Sequence, residues 1–499
     1  MRVAFSRSLS IRTVLGLAIA CAINGNLFAQ GATAPFSLVD NVEGEYVDTH
    51  PVPVRPMVFS ANELELWAVN THGNVVQHYN STSGAPAATF EVPRGPVSIA
   101  RWEDPNDPSD PGRLVVACRG TYALVVLRRS TGQVVTLLEQ RDGISAEPGD
   151  LLVDPLTHTA FLSCAAPDEV LEIDLITNTV VRRFAIPSKH PTFLCWDAVA
   201  PSGNHDVLVA PLHSGNNSGA RPDSGNPLNT FPGAPTAQAG GNTVVDFTTM
   251  GVGGTKLPDQ DLFRLVRSSG AVQAVTTGMG TVQFACGVNP ATGQVWQLNT
   301  EANNKDPMRQ GEGAINGDFI RNRVSLATLP AVGLPPNAPT TVVDLDTLST
   351  PPYNPALTVG QPYALAWAPG GFGLLTGLLT DNVTVLDSAG AFVLEWDVTP
   401  GSIPRGILYS PTYSIAYVYC WGTNKIEAYW ITTGIPLIFT LDLGYDPTPA
   451  NVRAGRTIFY DAANSLHNNA SCASCHVDGR IDMITWDLSH LPFDDKGPM

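Results

Sequence analysis

Short apolar strands recur along this chain at a nearly constant interval. Trp67-Ala68-Val69-Asn70 is followed by a turn and then Val75-Val76. Val115-Val116-Ala117-Cys118 precedes Leu124-Val125-Val126-Leu127, and Phe161-Leu162-Ser163-Cys164 precedes Val170-Leu171-Glu172-Ile173-Asp174. Tyr417-Val418-Tyr419-Cys420 precedes Ile426-Glu427-Ala428-Tyr429. Each pair runs into a polar turn: Ser83-Gly84, Thr131-Gly132, Thr177-Asn178 and Thr433-Gly434. A third short apolar strand comes next in places, as in Gln133-Val134-Val135-Thr136-Leu137. With the end of the first strand as marker, Asn70, Cys118, Cys164 and Ala210 recur every 46–48 residues, and the later markers are Asn299, Gly377 and Cys420. A period of roughly 40–50 residues built from short strands is the signature of β-propeller blades. The markers predict a propeller of about seven blades over 30–446. A radial array also leaves few open sheet edges, which suits a long β-protein. Between about 211 and 365 the pattern blurs among Gly, Pro and Asn, which predicts insertions between strands.

Composition agrees with a turn-rich, mainly β chain. Charged residues are 15%, below the usual quarter, with 45 Gly and 41 Pro. The net charge of −17 argues against nucleic acid or an anionic membrane as partner. Cys118, Cys164 and Cys420 share one repeat position with Ala210 and Gly377, so that position calls for a small, buried, apolar side chain. With Cys195 and Cys286 they make an odd set of five, so at least one is free or paired between chains, and buried thiols are the expectation.

Residues 1–29 have the form of a secretory leader. Arg2, Arg7 and Arg12 precede the apolar run Val14 to Ile23, and Leu27-Phe28-Ala29 offers a cleavage site before Gln30. The run is too short to span a bilayer, and no later stretch qualifies. The expected location is therefore outside the cytoplasm, periplasmic or extracellular.

The pattern changes at Asp446-Pro447-Thr448-Pro449, which reads as a boundary. A helix is predicted over 451–463, with Val452, Ile458 and Phe459 near one face and Arg453 and Arg456 on or beside it. A loop then leads to Cys472-Ala473-Ser474-Cys475-His476, the C-x-x-C-H signature of c-type haem attachment. Cys472 and Cys475 are spaced to form thioethers to two vinyl groups, and His476 comes next as the iron ligand. A zinc site is disfavoured because Cys475 and His476 are adjacent and no second ligand pair lies at zinc-finger spacing. A dithiol or disulfide of Cys472 and Cys475 stays open.

Arg456 and Arg480 are candidate partners for haem propionates, with a solvated arginine or a helix-end contact as the ordinary alternative. Trp486 is a candidate for packing on the haem edge or in a core. Asp104, Asp107 and Asp110 could hold calcium, although a solvated turn is the plainer reading. His213 could line the propeller channel. No Ser/His/Asp set, phosphate loop or H-E-x-x-H motif is present, so no catalytic residue is assigned.

The unit over 416–434, with that over 161–181, resembles the YVTN-type propeller repeat, and about six such segments fall within 60–445. This implies fold and no activity. The stretch 454–488 resembles the cytochrome c domains of the di-haem cytochrome c peroxidase and MauG-like group, and more closely its propeller-linked members. Gly455, Arg456, Phe459, Tyr460 and Asp461 match before the haem motif; Asp478, Gly479, Arg480, Asp482, Trp486, Asp487 and Leu488 match after it. The resemblance implies an exported protein carrying haem c (iron). It would exchange electrons with a redox partner protein or a small-molecule donor or acceptor, as a haem-dependent oxidoreductase of the peroxidase type. The group's second haem motif is absent, and 23 residues lie beyond His476. Met483, His490 and Met499 are the remaining candidates for a distal ligand, so 447–499 is expected to be a partial, truncated α-helical cytochrome c domain. The alternative is a propeller binding module whose haem site is incomplete or unloaded.

Overall fold

The computed structural model describes residues 51–198, 205–214, 259–302, 320–346, 358–432, 434–465 and 467–480, together with the backbone of short strands within 219–256. The leader, Met483, Trp486, His490 and Met499 lie outside the described residues.

The strands assort into five four-stranded antiparallel sheets, one eight-stranded sheet and two small sheets from 219–256. Each four-stranded sheet is a simple meander in chain order, spanning Met57–Glu91, Pro96–Leu138, Pro148–Ala185, Pro362–Asp397 and Pro404–Asp442. The eight-stranded sheet consists of two further meanders. One half holds Lys189–Trp196, Val207–His213, Leu262–Val266 and Ala271–Thr276; the other holds Val282–Val288, Val295–Ala302, Ile320–Ala327 and Thr341–Asp344. One ladder pair, His213 with Val282, joins the halves, and Thr276 bridges to Asn337 beside it.

The first strands of these meanders pack side by side around a closed ring, from Met57–Phe59 through to Pro404–Ser410 and back. This is a β-propeller. Every marker residue falls on the second strand of a meander: Asn70, Cys118, Cys164, Ala210, Asn299, Gly377 and Cys420. The blurred stretch has its cause in chain length between strands, because 215–258 lies between the second and third strands of the fourth meander.

Burial tracks the radius. Gly112–Cys118, Thr159–Cys164 and Ile415–Cys420 are buried at every position, because both faces of a second strand meet neighbouring sheets. Outer strands are exposed on one face; only Phe184 is buried in Thr179–Ala185. Side chains of adjacent sheets interleave. Trp67, Val69, Ile99, Leu114 and Val116 form one such layer, and Phe161, Phe184, Leu194, Val209 and Phe263 form another. Burying each such large apolar side chain stabilises the fold by about 1.5–3 kcal/mol. The three marker cysteines are fully buried, as the repeat position requires.

Turn chemistry repeats with the strands. Asn74, Asp168, Asp381 and Asn424 stand immediately before third strands with φ of 50–56°, a left-handed conformation that Asn and Asp tolerate. At the next turn, Gly84, Gly132, Asn178 and Gly434 are also left-handed. At Gly132 a Cβ would lie 2.1 Å from the Phe90 ring, so glycine is needed for space as well as for φ.

Among the described residues no strand is exchanged between the first and last sheets, and side-chain hydrogen bonds cross the seam there. Asn70 Nδ2 donates to the carbonyls of Leu443 and Tyr445 at 2.9 and 2.8 Å. The Tyr417 hydroxyl donates to Ser81 O at 2.7 Å, and that of Tyr419 to Val69 O at 2.8 Å.

Candidate functional site

After the last sheet the chain turns over one end of the propeller. Helix α1 is Ala450–Tyr460, with Pro449 at its N-cap. The expected apolar face is only partly buried. Phe459 packs against the core, Ile458 is 66% exposed, and α1 buries Arg456 and Tyr460. The cause is the surface beneath it, which offers aromatic rings. The Arg456 guanidinium lies 4.3 Å from the Trp421 ring centre, and Tyr460 meets Trp421 edge-on at 5.7 Å.

Helix α2 is a single turn, Cys472–Cys475. Ser471 caps it: its Oγ accepts from Ala473 N at 3.1 Å, while Ser471 N donates to Ser474 Oγ at 3.1 Å. His476 N donates to Cys472 O at 3.0 Å and ends the turn. Neither cysteine is in a disulfide; Cys472 is exposed and Cys475 is buried. The half-buried His476 ring lies 6.5 Å from that of Phe459, tying α2 to α1.

Contacts from several sheets hold this segment. Ala462 N donates to Leu379 O at 3.0 Å. Asn322 Nδ2 donates to Asn469 O at 2.9 Å, and Asn469 Nδ2 donates to Ile320 O at 3.2 Å. Arg405 Nη2 pairs with Asp478 at 2.7 Å and with the Tyr460 hydroxyl at 3.0 Å. Arg405 is fully buried, with its guanidinium 4.7 Å from the Tyr363 ring centre, 4.8 Å from Trp421 and 5.3 Å from Tyr460. This cage of rings stabilises the cation through their negative faces. Arg480 pairs with Glu147, which also accepts from Arg119 at 2.9 Å. Burial opposes ionisation of Glu147, but the two guanidinium groups prevail and hold its carboxyl below the usual range. Arg480 also reaches the His190 ring at 3.3 Å.

Neither arginine assigned to haem propionates is solvated. Arg480 is committed to Glu147 and His190, and Arg456 lies under α1 against Trp421 and Thr448. Arg456 Nε and Nη1 and Arg405 Nε and Nη1 are buried without a hydrogen-bond partner. Beneath them, burial first and Arg456 second push the His72 imidazole down to about 4. Burial, with Arg480 adding to it, pushes His190 down to about 3. His213 does not stand open to a channel; it is 1% exposed, with its Nδ1 3.4 Å from that of His190.

The calcium reading of the acidic turn is replaced by an arginine clamp. Arg113, 1% exposed, donates to Asp104 and Asp107 at 3.1 and 2.9 Å, and Arg128 donates to Asp107 and Asp110 at 2.7 and 3.2 Å. Those carboxylates stay part-exposed on the turn, as the solvated reading has it, and their oxygens are engaged by the two guanidinium groups. Among the described residues, no three His, Cys, Asp or Glu side chains converge as a metal-ligand set. Thioether attachment needs no such convergence: it needs two thiols on one helical turn with an imidazole immediately after. The residues present fit a covalently held haem in that respect.

Sequence patterning missed Arg405, Glu147, His190 and Asn322. Arg405 carried a usable signal, a charge inside an otherwise apolar strand, Ser402-Ile403-Pro404-Arg405-Gly406-Ile407. The others sit in turns or strands whose partners are distant in sequence.

The segment touches the beginnings of the inner strands. A cavity of about 260 Å³ runs along their later residues, lined among others by Arg55, Asp150, Cys286, Tyr363, Trp367 and Tyr409. Arg55 spans it with a two-pronged pair to Asp150 at 2.7 and 2.8 Å and a bond to Leu194 O at 2.7 Å.

No protein-family model matches the chain, and no curated protein does. Among solved structures the chain is similar to Kuenenia stuttgartiensis hydrazine synthase, with a TM-score of 0.53 and 15% identity over 79% of this chain and 99% of that one. It is also similar to virginiamycin B lyase from Staphylococcus aureus, with a TM-score of 0.46 and 10% identity over 75% and 94%. A third likeness is to the β-propeller domain of Myceliophteria thermophila Cps50 (Swd1), with a TM-score of 0.43 and 11% identity over 76% and 97%. The first likeness shows the fold alone, and the class it defines with the ring of sheets is that of the β-propellers.

Proposed function

We propose that this chain is an exported c-type haem protein in which a seven-bladed propeller carries a cytochrome c-type segment over 447–499. The eight-stranded sheet counts as two blades joined by one ladder pair. The observation that carries this reading is the capped turn Cys472–Cys475 with His476 at its end, held against the propeller with Cys472 exposed. Cys472 and Cys475 would hold haem c by two thioethers, and His476 would bind the iron. The haem, when bound, supplies one-electron chemistry. The chain's own residues fix the attachment turn: Ser471 caps it, Phe459 bounds the His476 ring, and the Arg405–Asp478 pair pins the chain just past His476. Its partner on this reading is a redox protein or a small electron donor or acceptor, with the propeller as docking platform. Peroxidase-type oxidoreduction is the reaction class the resemblance suggests.

The test is full-length protein made in a host with c-type maturation. Its band should retain haem stain through denaturing electrophoresis, and Cys472→Ala with Cys475→Ala should lose it. A colourless wild-type band from that host would overturn the haem reading and leave the propeller as a binding module.

A further inference from the structure

The inner strands Lys189–Trp196 and Val282–Val288 run side by side and carry one cysteine each. Cys195 Sγ and Cys286 Sγ are 2.9 Å apart, against about 2.05 Å in a formed disulfide. Each residue is 9% exposed, and Cys286 lines the central cavity. The marker cysteines are different: Cys118, Cys164 and Cys420 are fully buried on second strands of three separate sheets. The odd count of five thus resolves into three isolated thiols and one facing pair.

Their place in the chain is unusual. The two cysteines are 91 residues apart, and the intervening chain contains the long connection 215–258 between the second and third strands. At the same seam the backbone ladder between the two sheet halves is one residue pair, His213 with Val282. A cross-link here would close the long connection 215–258 and join two inner strands that pack side by side without pairing to each other. Constraining a loop of that length removes much entropy from the unfolded chain.

We propose that Cys195 and Cys286 form a disulfide that joins the innermost strands of the fourth and fifth meanders. The chemistry is thiol–disulfide exchange. The Cys195 and Cys286 thiols lose two protons and two electrons and form one S–S bond; a disulfide oxidant, such as oxidised glutathione or an oxidoreductase disulfide, takes the electrons and becomes two thiols. In the folded protein, burial pushes the Cys195 thiol well up, which slows attack by its thiolate. The bond is therefore closed while the blades assemble, and it is sheltered afterwards.

Peptide mapping of the full chain tests this, using protein made in an oxidising compartment and protein made in a reducing cytosol, each alkylated after denaturation. The oxidised sample should yield a linked peptide pair containing Cys195 and Cys286, which dithiothreitol separates, with Cys118, Cys164 and Cys420 alkylated. Its Tm should exceed that of the reduced sample by about 5 °C, a gain absent from Cys195→Ala. Full alkylation of both cysteines in the oxidised sample, or a link from either to another cysteine, overturns the proposal. So does a Tm gain that persists in Cys195→Ala. If that variant fails to fold, the wild-type map decides alone.

Discussion

Asp478→Ala removes the one carboxylate that faces Arg405. The pair is 2.7 Å apart, with side-chain exposures of 0% for Arg405 and 5% for Asp478. Water does not reach the cation left behind. Its Nε and Nη1 already lack hydrogen-bond partners, and three aromatic rings surround it. Breaking a buried pair by removing one partner costs about 3–5 kcal/mol, because an uncompensated charge remains. The cage of rings keeps the expected loss near the lower figure. A loss of about 3 kcal/mol lowers the ratio of docked to undocked segment by roughly 100-fold. Local opening is the cheaper response, since the propeller sheets do not depend on Asp478. Hydrogen exchange read by mass spectrometry should therefore show faster exchange over 447–480 and unchanged exchange in Gly112–Cys118 and Thr159–Cys164. Replacing both partners, Arg405→Met with Asp478→Leu, should restore much of the protection. Unchanged exchange over 447–480 in Asp478→Ala would refute the local-opening account. Equal acceleration across the inner sheets would refute it too, since the pair would then be supporting the ring.

Three other contacts lead to measurable outcomes. His72 stays neutral in the folded protein down to about 4 and takes a proton near 6.5 when unfolded, so its contribution is intact above 6.5 and is lost as pH falls from 6.5 to about 4. Between pH 7 and 5 wild type should lose roughly 2 kcal/mol relative to His72→Gln in urea unfolding, and a pH-independent difference would count against this. Arg113→Leu should lower Tm because Asp104 and Asp107 lose their buried partner, while millimolar calcium should leave the wild-type Tm where it is; a calcium-dependent rise would sink the clamp. Tyr417→Phe and Tyr419→Phe leave Ser81 and Val69 carbonyls unbonded at the closing seam, each costing about 1–2 kcal/mol by urea unfolding, and a neutral double variant would show that these two hydroxyl bonds do not support closure.

The radial fold was legible because its determinants are local. A strand, a left-handed Asn or Gly, and a second strand occur within some twenty residues, and the same small residue recurs where second strands end. The pattern failed over 215–258 because chain inserted between strands carries no period. The C-x-x-C-H sequence was legible for the same reason, being five consecutive residues, while its haem role stays with the proposed function. Its surroundings were not legible. Helical periodicity grouped Val452, Ile458 and Phe459 with Arg456 on or beside their face; Phe459 packs against the core, Ile458 is exposed, and the aromatic surface below takes Arg456 and Tyr460. Periodicity reports which residues share a face; it does not report what that face meets. The acidic turn lies at the surface as its plainer reading had it, but its partners were not legible, since the guanidinium groups come from Arg113 on the next strand and from Arg128 beside it.

The contacts that hold the motif also imply an order of assembly. Arg480 reaches Glu147 across 333 residues and His190 across 290, and Asn469 reaches Ile320 across 149. The surface that receives the segment is contributed by at least four sheets, so it exists only once the ring has closed. Side-chain bonds cross between the first and last sheets where, among the described residues, no strand is exchanged. Docking of 447–480 must come after closure, and the loop-closure cost of each long-range contact has by then been met by the propeller. Until that point Cys472 and Cys475 lie on an unanchored stretch where their thiols are accessible to an attachment machinery. Once docked, Cys475 is buried and His476 is bounded by Phe459. On the proposed function, covalent attachment therefore precedes docking, and the finished ring then fixes where the attached group stands relative to the propeller.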